Sequence, residues 1–256
     1  MPDLEYPADG GVTKGYLAVP GEPGTPAPAG RWPGVVVVHE LFGLTDSVRR
    51  HADRLADAGY LAFAPDLYSG KPWMRCVRSA IQQVRSGSGP AFTAIEAARA
   101  WLGSRPDCSG RTGVIGFCLG GGFALLCAPR DGFAAASVNY GDVPADAEAA
   151  LEGACPVVAS YGARDPMGTK PPERLEKALT VLGVPHDVKV YPRAGHRFMA
   201  PVSGALAPLA SFARMGYVED AAEDSWRRIL DFFGHHLRSL GGRAASAGGR
   251  RVRART

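Results

Sequence analysis

The stretch GVIGFCLGGG at 113–122 constrains this chain more than any other. An apolar run, Val114-Ile115, breaks into Gly116-Phe117-Cys118-Leu119-Gly120 and then two further glycines. A strand that ends in Gly-x-Cys-x-Gly and continues as a helix is a sharp turn with cysteine at its apex. Side chains at the flanking positions would collide with the neighbouring strand and helix, so glycine is needed there. The turn lifts Cys118 above a sheet at a helix N-terminus, where the dipole and free N–H groups favour a thiolate. Cys118 is therefore a candidate nucleophile.

Such a turn requires a buried sheet, and the rest of the chain supplies its strands. VVVVH (35–39) is a continuous β-branched run, as expected of a parallel strand covered on both faces. LAFAPD (61–66), RTGVIGF (111–117), FAAASVNY (133–140), PVVASY (156–161) and HDVKVY (186–191) read as further strands. Helical spacing marks SVRRHADRLADAG, capped by Thr45 or Asp46, together with AFTAIEAARAWL, LGGGFALLCA, PERLEKALTVLG and YVEDAAEDSWRRILDFFGHHL. In the last of these, Trp226, Ile229, Leu230 and Phe233 share one face and are assigned to the core. VTKGYLAVP (12–20) reads as an antiparallel edge strand, and the Pro/Gly-rich PGEPGTPAPAGRWPG (20–34) as a surface connection. Alternation of strand and helix gives an α/β fold, a mostly parallel sheet with helices on both faces. No repeat or linker divides it, so one domain over residues 1–240 is expected.

Charge narrows the partners. The net charge is +4, but Arg243, Arg250, Arg251, Arg253 and Arg255 lie in the last sixteen residues, which contain no acid. Without them the body stands at −1, so the basicity belongs to a solvated tail at 241–256 and nucleic acid is not an expected partner. No stretch approaches the roughly 18 consecutive apolar residues of a membrane span. The opening MPDLEYPADGG lacks the apolar core of a secretory signal, and a cytoplasmic location is expected. Five cysteines without a CxxC pair form neither a disulfide framework nor a zinc site. His39-Glu40 and His235-His236 offer no third ligand at useful spacing, so no metal is expected, and His51 and His186 are assigned to solvated faces.

A nucleophile needs a base, and the base needs an orienting acid. Asp165 follows the strand PVVASY, and His196 follows HDVKVY. Nucleophile, acid and histidine in this order, each after a strand, form a candidate triad. The oxyanion donors expected beside it are the backbone N–H groups of Leu119, next to the nucleophile, and of Leu41, in the loop after VVVVH. Tyr140, at the end of FAAASVNY, is placed in the pocket wall.

HELFGLTDSVRRHADRLADAGYLAFAPDLY, GFCLGG, YGARDPMG and YPRAGHRFM together resemble the dienelactone hydrolases, carboxymethylenebutenolidase-type enzymes of the α/β-hydrolase fold. The resemblance runs from about residue 12 through the last helix. It implies a cofactor-independent thiol hydrolase that opens an enol-lactone to a dienoic acid through Cys118, His196 and Asp165, as in aromatic degradation. It further implies that Glu40 contacts the resting thiol and helps to deprotonate it. Family members grip the substrate carboxylate with two arginines, and here the sequence departs: the fourth position after His196 is Ala200. Arg75, Arg78 and Arg85 are the candidates on one side, and Arg193 and Arg197, which flank His196, on the other. The expected partner is a small lactone or ester, taken by a monomer. The alternatives are an esterase or thioesterase acting on another small acid, and a low-turnover ligand-binding protein of the same fold.

Overall fold

The computed structural model describes residues 3–8, 11–21, 31–69, 72–166, 171–201 and 216–238. Its strands are β1 (Asp3–Ala8), β2 (Gly11–Ala18), β3 (Trp32–Val38), β4 (Leu61–Pro65), β5 (Cys108–Phe117), β6 (Phe133–Asn139), β7 (Val157–Gly162) and β8 (His186–Tyr191). They form one sheet in the order β1-β2-β4-β3-β5-β6-β7-β8. β1 and β2, and β2 and β4, pair antiparallel; every other pair is parallel. This is the expected α/β architecture.

The valine run explains how the layers are built. Val35, Val36, Val37 and Val38 are all fully buried, yet side chains alternate across a strand. Val36 and Val38 join one apolar cluster and Val35 and Val37 the other. Each such valine contributes about 1.5–3 kcal/mol by leaving water. On the first face lie α2 (Trp73–Ser86), α3 (Pro90–Ser104), α4 (Leu119–Cys127), α5 (Ala147–Ala150) and α6 (Pro171–Val181). The opposite face is covered by α1 (Asp46–Asp57) and α7 (Glu219–Leu237). Trp226, Ile229 and Phe233 of α7 are buried there, with Leu230 packed partly against them.

Four readings need correction. β2 is not the sheet edge, because β1 pairs along it from Asp3↔Tyr16 to Ala8↔Gly11. Tyr6 anchors β1 by packing edge-on against Phe63 at 4.9 Å, and Pro7 is tolerated because β1 itself is the edge. Residues 73–86, to which the sequence pattern assigns no helix, form α2. α1 begins after Thr45 as expected, but the Thr45 hydroxyl is buried without a partner and caps nothing. His51 is buried, not solvated: its ring stacks on Phe117 with centroids 4.1 Å apart. Burial, helped by Arg50, lowers the His51 pKa to about 3. The proposed tail at 241–256 and residues 22–30 of the early connection lie outside the described residues.

Candidate active site

The apex cysteine sits where the turn was expected. Cys118 has φ 55° and ψ −120°, a conformation that costs a non-glycine residue of order 1–3 kcal/mol and persists only when its surroundings enforce it. Both flanking glycines are needed for close approach. A Cβ on Gly116 would stand 1.9 Å from the Gly120 carbonyl oxygen, and one on Gly120 would stand 2.3 Å from that of Val38. β5, α4 and β3 thus close around the turn and hold the thiol above the sheet.

The loops after β7 and β8 bring the other two residues to it. His196 Nε2 lies 3.1 Å from Cys118 Sγ, and His196 Nδ1 lies 2.7 Å from Asp165 Oδ2. His196 and Asp165 are buried, whereas Cys118 is partly open. Burial disfavours the imidazolium, but the hydrogen bonds to Asp165 and Cys118 outweigh it and raise His196 to about 10. The arrangement can hold a proton on the imidazole beside the sulfur.

The two backbone amides expected as oxyanion donors belong to the turn itself and to the loop after β3. Leu119 is the first residue of α4, where an N–H has no acceptor within the helix. Among the described residues the Leu41 N–H also lacks a hydrogen-bond partner. Its loop is nonetheless held firmly. The Leu67 N–H donates to His39 Nε2 at 3.2 Å, so His39 Nδ1 carries the hydrogen and donates to the Glu40 carbonyl at 2.7 Å. Burial lowers the His39 pKa, which keeps this neutral tautomer. Tyr140 closes the site from the end of β6, with φ 44° and its ring edge-on to His196 at 5.2 Å. Its hydroxyl is buried without a partner, and burial, with the nearby Glu40 charge, raises its pKa well above the ordinary value.

Comparison with known proteins gives this constellation a family. The sequence profile of the dienelactone hydrolase family matches residues 14–237. The chain belongs to the dienelactone hydrolase family. A Methylorubrum extorquens relative, whose name assigns it carboxymethylenebutenolidase activity provisionally, is 30% identical over 251 residues, covering 90% of this chain and 79% of its own. Rhodococcus opacus carboxymethylenebutenolidase is 27% identical over 215 residues, covering 79% of this chain and 81% of its own. The solved structure m3DLH superposes with a TM-score of 0.77 at 26% identity, covering 93% and 98% of the two chains. This dienelactone hydrolase family chain thus has the α/β-hydrolase fold and is a carboxylic ester hydrolase.

Within that family frame, several expected residues are placed differently. No hydrogen bond joins Glu40 to Cys118 among the described residues; the Glu40 carboxylate turns instead to Arg197. Arg197 Nε donates to Glu40 Oε1 at 2.8 Å and Nη2 stands 2.6 Å from Oε2, with both side chains buried. Arg193 is exposed and pairs with Asp220. Of the arginines on α2, Arg75 lines a cavity of about 1050 Å³ together with Asp66, Tyr68, Ser79, Leu119 and Phe123. Arg78 and Arg85 are exposed on α2 and do not line it.

Sequence reasoning missed Tyr68, in the cavity wall, and Trp73, at the start of α2. Tyr68 buries a hydroxyl without a hydrogen-bond partner, and burial, then the charges of Cys76 and Cys118, raise its pKa to about 12. Trp73 begins α2 and donates from Nε1 to the Leu41 carbonyl at 3.1 Å. The available signal for Trp73 was Pro72 immediately before it, a residue that often precedes or opens a helix. No helix among the described residues is long and apolar enough to cross a membrane, and no group of three or more metal-ligating side chains occurs among them.

Proposed function

We propose that this hydrolase opens a dienelactone-type enol-lactone to a dienoic acid, with Cys118 as nucleophile, His196 as base and acid, and Asp165 orienting the imidazole. The observation that carries this reading is the continuous chain from Cys118 Sγ through His196 to Asp165, at 3.1 and 2.7 Å. The sulfur attacks the lactone carbonyl, and the tetrahedral oxyanion sits between the Leu119 and Leu41 amides. The ring C–O bond then breaks to give a thioester and an enolate that remains tethered. His196 gives its proton to that enolate and then takes one from water, and the hydroxide so formed cleaves the thioester and frees the Cys118 thiolate. The acid is released and the proton returns to the site. Simple alkyl esters lack the tethered enolate, so their thioesters clear more slowly.

Glu40, held by Arg197, stabilises the charge balance beside the sulfur without touching it. Arg75 is the arginine best placed for a substrate carboxylate, since it lines the cavity that adjoins Leu119. That cavity also supports a second reading, an esterase or thioesterase for a bulkier acid, because about 1050 Å³ exceeds what a single small ring requires. The deciding experiment is steady-state hydrolysis of a dienelactone beside a nitrophenyl ester, for the native chain and Cys118→Ser. Efficient lactone opening that collapses in the variant is the expected result. Thiol-dependent ester cleavage with the lactone left intact would select the second reading, and turnover unaffected by Cys118→Ser would overturn the triad.

A further inference from the structure

Trp73 takes no part in the triad, and its exposure of 42% shows that core burial does not account for its position. α2 is anchored by Cys76 and Ala80, its buried residues, and the neighbouring Met74 is 70% exposed. Yet the Trp73 indole makes two directed contacts with the loop after β3. Its Nε1–H donates to the Leu41 carbonyl at 3.1 Å, and its ring lies parallel to that of Phe42, with centroids 6.2 Å apart and planes 2° apart. The Phe42 ring also has the Arg197 guanidinium over it, 5.9 Å from the centroid.

Peptide geometry makes these contacts matter to the site. The Leu41 N–H and the Glu40 carbonyl belong to one planar trans peptide and therefore point in opposite directions. The Glu40 carbonyl is tied to His39 Nδ1 at 2.7 Å and to the Gly43 N–H at 3.2 Å, which fixes that plane. The next plane, carrying the Leu41 carbonyl, has one anchor among the described residues: the Trp73 indole. Residues 41 and 42 carry the Gly43 N–H to the Glu40 carbonyl, so release of the Leu41 carbonyl would loosen that hydrogen bond and with it one of the two ties that aim the Leu41 amide.

We propose that Trp73 is a positioning residue for the oxyanion hole, clamping the Leu41 carbonyl so that the Leu41 amide stays aimed at the carbonyl oxygen of the group attacked by Cys118. This rests on the reading of Leu41 as an oxyanion donor. The indole N–H supplies the clamp, and the stack on Phe42 sets the angle from which it reaches.

The test uses the full chain with Trp73→Phe, which keeps an aromatic ring against Phe42 but removes the donor, and Trp73→Ala, which removes both. The burst and steady-state phases of nitrophenyl acetate hydrolysis give the acylation rate, kcat and KM. Iodoacetamide inactivation supplies a control, because alkylation at a saturated carbon consumes the thiol without building an oxyanion. Loss of a whole oxyanion donor costs about 100- to 1000-fold in kcat, so loosening one predicts about a tenfold fall in acylation and kcat for Trp73→Phe, with KM held within about twofold. The iodoacetamide rate stays at the native value. An unchanged kcat in Trp73→Phe overturns the proposal, and so does a fall in kcat matched by an equal fall in alkylation. Should Cys118→Ser retain native turnover, the thiol mechanism fails instead, a result distinct from either Trp73 outcome.

Discussion

Arg197 and Glu40, 157 residues apart in sequence, form a two-pronged buried ion pair close to Cys118. The guanidinium occupies the carboxylate that the family resemblance assigns to the resting sulfur, leaving that sulfur to His196. Arg197 holds this position with φ 58°, a left-handed backbone that a non-glycine residue rarely adopts.

Removal of the guanidinium alone should be costly. Arg197→Met leaves the Glu40 carboxylate buried and unpaired, and the expected loss is about 3–5 kcal/mol. Adding Glu40→Gln removes the stranded charge, and the double variant should recover most of that loss. Urea unfolding of both variants checks this; a double variant no more stable than the single one would show that the pair is not the source of the loss.

His196 makes stability depend on pH in a definite direction. Its folded pKa of about 10 lies above the ordinary 6.5, so protonation favours the folded state. Its contribution is complete below pH 6.5 and disappears as the pH rises through about 10. The stability difference between the native chain and His196→Gln should therefore shrink steadily across that window. Unfolding midpoints at pH 6, 8 and 10 provide the measurement, and a difference that grows with pH would contradict the assignment.

His51 acts in the opposite sense. Its folded pKa of about 3 lies below that of the unfolded chain, so unfolding takes up a proton as the pH falls below 6.5. Its Nε2 is also buried without a partner, and its ring already stacks like an arene on Phe117. His51→Phe should match the native chain near pH 8 and exceed it increasingly between pH 6 and 4. Thermal melts across that range test the trend; parallel curves would refute it.

Gly116→Ala should disrupt the turn itself. The added methyl meets backbone rather than a movable side chain, with the Gly120 carbonyl oxygen at 1.9 Å and its carbon at 2.3 Å. β5 and α4 must separate to admit it, so a loss of several kcal/mol is expected, in the upper range for single substitutions. Gly153→Ala is the control: its φ is left-handed, at 76°, where that of Gly116 is not, so it carries a backbone penalty of its own, but no atom lies within 4 Å of the added Cβ. A Gly116 variant no less stable than that control would show that the close approach is unimportant.

The legible parts of the fold were those in which local pattern and tertiary role coincide. Val35–Val38 reads as a strand because burial on both faces requires apolar residues at every position, and Gly116 and Gly120 announce the turn because close packing excludes side chains there. β1 was hidden because the alternation in DLEYPA lasts only four residues before Pro7 and includes no β-branched side chain; pairing with β2 and the contact of Tyr6 with Phe63 secure it, and local sequence displays neither. α2 escaped because only Cys76 and Ala80 are buried, too few to impose a helical apolar period. The His51 signal was present, since Val48, His51, Ala52 and Leu55 fall at helical intervals on one buried face. In the site, the order of Cys118, Asp165 and His196 reflects strand order and was readable, whereas the Arg197–Glu40 pair depends on how two distant loops fold back and carries no local mark.

The slender attachment of α2 has an evolutionary meaning. One wall of the cavity and the clamp on the oxyanion loop both belong to a helix that the sheet hardly needs. Substitution at Arg75, Ser79 or Gln83 can reshape what the cavity admits while the strands, the turn at Cys118 and both apolar layers remain intact. Lineages descending from such a chain can therefore drift between acids by remodelling α2 beyond Trp73, with the turn at Cys118 inherited unaltered.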